Sequence, residues 1–157
     1  VNTLDLPEQQ RVIGGLTYAV QPLSARKSLQ VMTRVLKMAA PGFGDVASLA
    51  RAANAVGVLL SGAAEELDEE VVLFVCDAFA EATKVEVEPG KLLPLRSNNV
   101  SQWDDHFRGK PVELFAWIRF AAEVNFGPLV AELKAKMASA AASSPSVAPP
   151  APPAAAG

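Results

Sequence analysis

The one histidine and the one cysteine of this chain are the natural starting points for chemistry. His106 sits in "WDDHF" (103–107), where Asp104 and Asp105 would complete an acid/base dyad or begin a metal site. Adjacent residues seldom converge on one ion, and no second histidine or distant ligand is signalled. The run therefore reads as a loop with solvated charges, with Asp105 as a turn residue. Cys76 falls between Val75 and Phe79 on the inward side of a predicted helix, where a free thiol behaves as a small hydrophobe. Its charged neighbours are acidic, which is the wrong setting for a thiolate nucleophile. A single cysteine excludes an intrachain disulfide, and one cysteine with one histidine excludes a Cys/His zinc site. "IGGL" (13–16) and "PGFGD" (41–45) lack the lysine and glycine spacing of a phosphate cradle. The expectation is a protein that is not an enzyme and has no metal or other cofactor.

The totals agree with a binding protein. The chain has 157 residues, 50% hydrophobic and 20% charged, enough for one domain with a real core plus a tail. A net charge of −3 and a pI near 5.2 do not favour nucleic acid as a partner. No uninterrupted apolar run reaches the ~18 residues of a membrane span, so no membrane partner is expected. The opening residues "VNTLDLPEQQR" lack the basic-then-apolar order of a secretory signal, and the expected location is the cytoplasm.

The elements follow from period and punctuation. "RVIGGLTYAVQPL" (11–23) predicts a hairpin, with Gly14-Gly15 as its turn and Leu16, Tyr18 and Val20 alternating with Thr17, Ala19 and Gln21. Ser24 caps a helix over 25–40 whose buried stripe is Leu29, Met32, Val35, Leu36 and Ala39, and Pro41-Gly42 stops it. A small-residue helix is predicted over about 44–63, with Val46, Leu49, Ala53, Val56 and Leu60 on one side. The acidic run "EELDEE" (65–70) suits the positive end of a third helix, with Asp68 as cap and a Leu67–Val72 staple. Val72, Val75, Cys76 and Phe79 would face inward. "KVEVEPGKLLPL" (84–95) alternates and turns at Pro89-Gly90, which predicts two short strands. "RSNNVSQWDDHFRG" (96–109) is polar and irregular.

Charge divides the chain as well. Arg26, Lys27, Arg34 and Lys37 make the wet side of the first helix basic, whereas residues 65–88 carry nine acidic residues and only Lys84. Two readings stand: solvated faces that steer one another together within the fold, and a polarised surface that orients a protein partner.

The helix "KPVELFAWIRFAAEVNFGP" (110–128) carries more apolar surface than one stripe requires. Pro111 suits its first turn and Gly127-Pro128 its end. Leu114, Trp117, Ile118, Ala121 and Val124 share a face, while Phe115, Phe120 and Phe126 flank it or point away. Again two readings stand: a central helix wrapped by its neighbours, or aromatic rings left at the surface for a partner. Phe107, Phe115, Trp117, Phe120 and Phe126 are the candidate partner-binding residues. Beyond Pro128 a last amphipathic turn or two carries Leu129, Val130, Leu133 and Met137. The fold class expected is mainly α (α+β): a compact helical domain over residues 1–137 with an N-terminal hairpin and a second short β-segment. A disordered Ala/Pro/Ser-rich tail follows over 138–157.

The order of these elements resembles the tail assembly chaperones of long-tailed bacteriophages, over about residues 10–130. The matching positions are Phe107 and Gly109 in an aromatic–x–Gly element, Leu114 and Trp117 in a Leu–x–x–Trp helix, and Asn125, Phe126 and Gly127 at its close. The resemblance implies a non-enzymatic role in the host cytoplasm. It further implies binding to the tape measure protein to keep it soluble, recruitment of tail tube protein around it, and absence from the finished virion. Self-association is left open, and a structural tail or connector component of the particle is the alternative.

Overall fold

Gly14 and Gly15 reverse the chain with φ of +58° and +84°, positive at both positions as a type I′ hairpin turn demands. They join strands β1 (Gln9–Ile13) and β2 (Leu16–Val20), paired antiparallel from Ile13↔Leu16 to Gln9↔Val20. The computed structural model describes residues 7–39, 57, 68–98 and 100–143. The alternation expected in β2 is incomplete: Tyr18 and Val20 are buried, but so is Ala19 between them. Its register partners Gln10 and Lys84 flank it on both neighbouring strands.

Helix α1 (Ala25–Ala39) begins at Ser24, whose hydroxyl accepts the Lys27 N–H at 3.3 Å. Its inward face keeps the expected Val35 and Met32 and loses Leu29, while the side chains of Leu36 and Ala39 lie outside the described residues. Val31 and Val35 are buried and Met32 is partly so, while Leu29 is 68% exposed. The cause is the neighbouring helix α2 (Glu69–Glu81), which packs on α1. Lys27 pairs with Glu81 at 3.2 Å and Arg34 with Glu70 at 3.8 Å, so the line Lys27–Val31–Arg34 turns toward α2 and Leu29 turns away. Asp68 caps α2, its Oδ1 accepting the Glu70 N–H at 2.9 Å. The Pro41-Gly42 stop, all of the 44–63 helix but Gly57, and the Leu67 half of the staple lie outside the described residues.

Two further strands, β3 (Thr83–Glu88) and β4 (Lys91–Pro94), turn at Pro89-Gly90 as expected. They do not form a separate unit. β3 pairs antiparallel with β2, from Val20↔Thr83 to Thr17↔Glu86, and gives one four-stranded sheet in the order β1-β2-β3-β4. The segment read as irregular is ordered instead. It contains the ladder of β5 (Arg96–Ser97) with β6 (Val100–Ser101) and one helical turn, α3 (Trp103–His106). Asn98 takes φ +51° in the connection, a conformation asparagine tolerates. Leu95 anchors the segment through its N–H to the Thr83 carbonyl at 3.0 Å, and its own carbonyl accepts from Gln102 at 2.8 Å.

Helix α4 runs from Pro111 to Ala142, 32 residues, straight through Gly127-Pro128. Proline inside a helix removes one bond and crowds the preceding turn, at a cost of ~3 kcal/mol. Here Phe126 and Val130, on either side of it, are both buried. Each such side chain contributes ~1.5–3 kcal/mol, so the two together offset the break and the helix continues. The stretch Pro111–Lys136 also has the length and hydropathy of a membrane span, which the sequence hid by interrupting its apolar run. Its apolar face packs on protein: α4 lies against β1, β2 and α2, and the core fills the space between them.

Candidate functional site

Four of the five aromatic residues expected to meet a partner are core. Trp117 is 0% exposed, and Phe107, Phe120 and Phe126 are buried with it. The rings form a continuous stack from the sheet to α3 and α4. Tyr18 stacks on Phe107 at 6.0 Å between centroids, Phe107 on Trp117 at 5.1 Å, and Trp117 on Trp103 at 6.5 Å. Phe126 packs on Phe79 of α2 at 6.3 Å, and the Arg11 guanidinium lies 4.4 Å above the Phe120 ring. Only Phe115 is half-buried, packed at the edge of the core. Of the two readings, burial places Phe107, Trp117, Phe120 and Phe126 in the core and leaves Phe115 as the candidate nearest the surface. The joined sheet and α2 supply more wall than a small hairpin and alanine-rich helices promise separately, and it takes up all four rings.

Each buried polar tip in this stack has a partner. Trp117 Nε1 donates to Thr83 Oγ1 at 3.2 Å, and the Thr83 hydroxyl donates to the Phe79 carbonyl at 2.7 Å. Trp103 Nε1 donates to Asp77 Oδ1 at 2.8 Å, and the same oxygen accepts from Ser101 Oγ at 2.5 Å. Burial opposes ionisation of Asp77, but these two hydrogen bonds, with Arg96 and Lys27 nearby, hold its carboxyl below the ordinary value. Asn125 ties α4 to the chain after β2: its Oδ1 accepts the Leu23 N–H at 2.7 Å and its Nδ2 donates to the Ala121 carbonyl at 2.8 Å. Asp77 and Thr83 did not stand out as functional residues in the sequence. The signal for Asp77 was its isolation as a carboxylate inside the apolar run "VVLFVCDAFA" (71–80).

The "WDDHF" run divides in the fold. Trp103 and Phe107 go to the core, Asp104 and Asp105 are exposed, and Asp105 pairs with Arg108. His106 Nε2 lies 2.7 Å from the Tyr18 hydroxyl. Burial and the Glu113 charge push the tyrosine up to about 12, so its hydroxyl stays protonated, and the tautomer of the imidazole sets which of the two donates. Burial, with Lys110 nearby, lowers the His106 pKa from 6.5, and Glu113 acts in the opposite sense. The unfolded chain therefore binds a proton at His106 more readily than the folded one. Stability from this residue is complete above pH 6.5 and is lost as pH falls from there toward the lowered folded value. Urea midpoints measured at pH 7.5 and 5.5 should drop in the wild type and drop less in His106→Gln. An equal drop in both would remove the assignment.

Cys76 is buried, and burial with the Asp77 charge pushes its thiol up to about 12, so it stays protonated. Among the described residues no group of three or more His, Cys, Asp or Glu side chains could hold a metal ion. The basic face of α1 meets the acidic face of α2: besides the two interhelix pairs, the Arg34 guanidinium lies 4.1 Å above the Phe74 ring, and Arg96 pairs with Glu81 at 3.0 Å. These charges are engaged with one another inside the fold. Apolar side chains are left to solvent on these helices, Leu29 and Leu73, and elsewhere. Val12 of β1 and Val112 of α4 are 66% and 80% exposed, and Leu92 and Leu93 are exposed on β4 at the opposite sheet edge.

This arrangement can hold a shape and offer surfaces. A family model described as phage tail assembly chaperone protein, TAC, matches residues 14–139. Neither a curated protein nor a solved structure matches the chain.

Proposed function

Because the chain belongs to the phage tail assembly chaperone family, we propose that it binds the tape measure protein, keeps it soluble and helps bring tail tube subunits around it. The family match, which covers nearly all of the described fold, carries this reading. The family points to a role without catalysis, and the "WDDHF" run divides between the core, an exposed turn and the contact of His106 with the Tyr18 hydroxyl.

A client with long apolar helical stripes aggregates unless its stripes are covered. Repeated weak contacts by a small partner cover them and still yield to the tube that replaces them. The protein would act in the host cytoplasm and be left out of the finished particle. Co-expression with the tape measure protein tests this directly. The client should move into the soluble fraction and co-purify with the chaperone. No gain in solubility together with no co-purification would sink the reading. Mass spectrometry of purified virions separates it from a structural tail or connector component, which would be present in stoichiometric amount.

A further inference from the structure

The two edges of the four-stranded sheet are built differently. β4 at one edge is short and carries Lys91 and Pro94, and the β3–β4 pairing is irregular between Glu86 and Glu88. Lysine, proline and bulges are the usual devices that blunt an edge against further pairing. β1 at the other edge has five residues, Gln9–Ile13, with neither proline nor lysine. Its one charged side chain, Arg11, is folded over the Phe120 ring and onto Glu123 at 2.7 Å.

Hydrogen-bond alternation gives the direction of the free groups. Ile13↔Leu16 closes a two-residue turn and is therefore a hydrogen-bonded pair, as is Arg11↔Tyr18 two residues on. Gln10 and Val12 then point their N–H and C=O groups away from β2. Among the described residues, no backbone partner outside the hairpin reaches either.

Beside this edge lies a groove of about 480 Å³ between β1 and the first turns of α4. Its walls include Val12 and Ile13 on the strand and Val112, Ala116 and Arg119 on the helix. The three helix residues are spaced i, i+4 and i+7, so they form one line along the open edge. A strand added to β1 would place alternate side chains against that line, with Ala116 leaving room for them. Charge decides what those side chains should be. Arg11 and Arg119 share a single carboxylate, Glu123, at 2.7 and 3.0 Å, and Lys110 pairs with Glu113 at 3.9 Å. Three cations thus face two carboxylates. A second copy of β1 (QQRVI) would bring another arginine and no carboxylate, which makes the chain a poor partner for itself at this edge.

We propose that the β1 edge and the start of α4 form a docking groove for an extended apolar segment of another protein that carries a carboxylate, added to the sheet as a fifth strand. The apolar residues of the segment lie on Val112 and Ala116, its carboxylate lies between Arg11 and Arg119, and its backbone bonds to Gln10 and Val12. That the partner is a tail protein rests on the function proposed above; the chemistry of the groove does not.

Fluorescence anisotropy of the full chain with a labelled peptide, GSVTVTDTSG, whose two valines and aspartate share one strand face, tests the groove. Saturable binding is expected, at least tenfold weaker for the same peptide with lysine replacing its aspartate. Val112→Glu puts a carboxylate into the groove from an exposed first-turn position that the helix dipole favours, and should weaken binding at least tenfold. Val12→Pro removes only an outward N–H, tolerated at a strand edge, and should do the same with an unchanged far-UV spectrum. Should Val12→Pro fail to fold, Val112→Glu decides. Absent binding, equal binding of the two peptides, or wild-type binding by Val112→Glu would overturn the proposal. So would a dimer in sedimentation that Val12→Pro dissociates, because the edge would then belong to a second copy. No tail protein enters this assay, so its failure beside successful co-purification moves the client face elsewhere, and the reverse pattern removes only the tape measure reading.

Discussion

Trp117→Ala is expected to lower the free energy of unfolding by about 3–5 kcal/mol, the range for removing a large aromatic from a packed core. The side chain is fully buried, holds the middle of the Phe107–Trp117–Trp103 stack, and satisfies the Thr83 hydroxyl from its Nε1. Its loss leaves a cavity between sheet and helix that the remaining rings, fixed on β2 and around α3, cannot close. A domain of this size is stable by only ~5–15 kcal/mol, so the variant should be marginal at 37 °C. Urea unfolding followed by far-UV circular dichroism measures the change. A loss below about 1.5 kcal/mol would mean that the stack repacks, contrary to this account. Trp117→Phe keeps the stacking and forgoes the hydrogen bond, and should fall between the two.

Asp77→Ala is expected to cost about 2–3 kcal/mol, chiefly because a buried indole N–H is left without an acceptor. Asp77 Oδ1 receives both Trp103 Nε1 and Ser101 Oγ, and so ties α2 to β6 and α3. Ser101 is half-buried and can turn to water, and Arg96 keeps Glu81, but Trp103 has no such recourse. Asp77→Asn retains an acceptor oxygen and should lose clearly less. Equal losses in the two variants would show that charge, and not the acceptor, matters. The hydrogen bonds and cations that hold the Asp77 carboxyl below 3.8 stabilise the fold above that pH, and their contribution fades as pH falls through the folded value. The Asp77 loss begins only below pH 3.8, whereas the His106 loss begins at pH 6.5.

The proposed docking groove was not legible in the sequence. Val12 and Val112 look like ordinary core residues of a strand and a helix start, and only the placement of β1 at an edge, with α4 beside it, leaves both in solvent. The aromatic residues left two readings open in the sequence, core or surface, and the space to bury most of them came from a pairing 63 residues apart, Val20↔Thr83.

Local chemistry was determined by the sequence alone. Gly14-Gly15 specified the first hairpin, Ser24 and Asp68 the starts of two helices, Pro89-Gly90 the second turn, and the family positions around Trp117 the class of protein. Each of these depends on a few neighbouring residues, whose backbone preferences act at short range. Tertiary structure alone decided three things: that the two hairpins share one sheet, that α1 turns its basic line toward α2, and that α4 passes through Pro128. In each case burial and pairing between distant segments outweigh a local preference of a few kcal/mol. Such energies belong to contacts that exist only once the chain has folded.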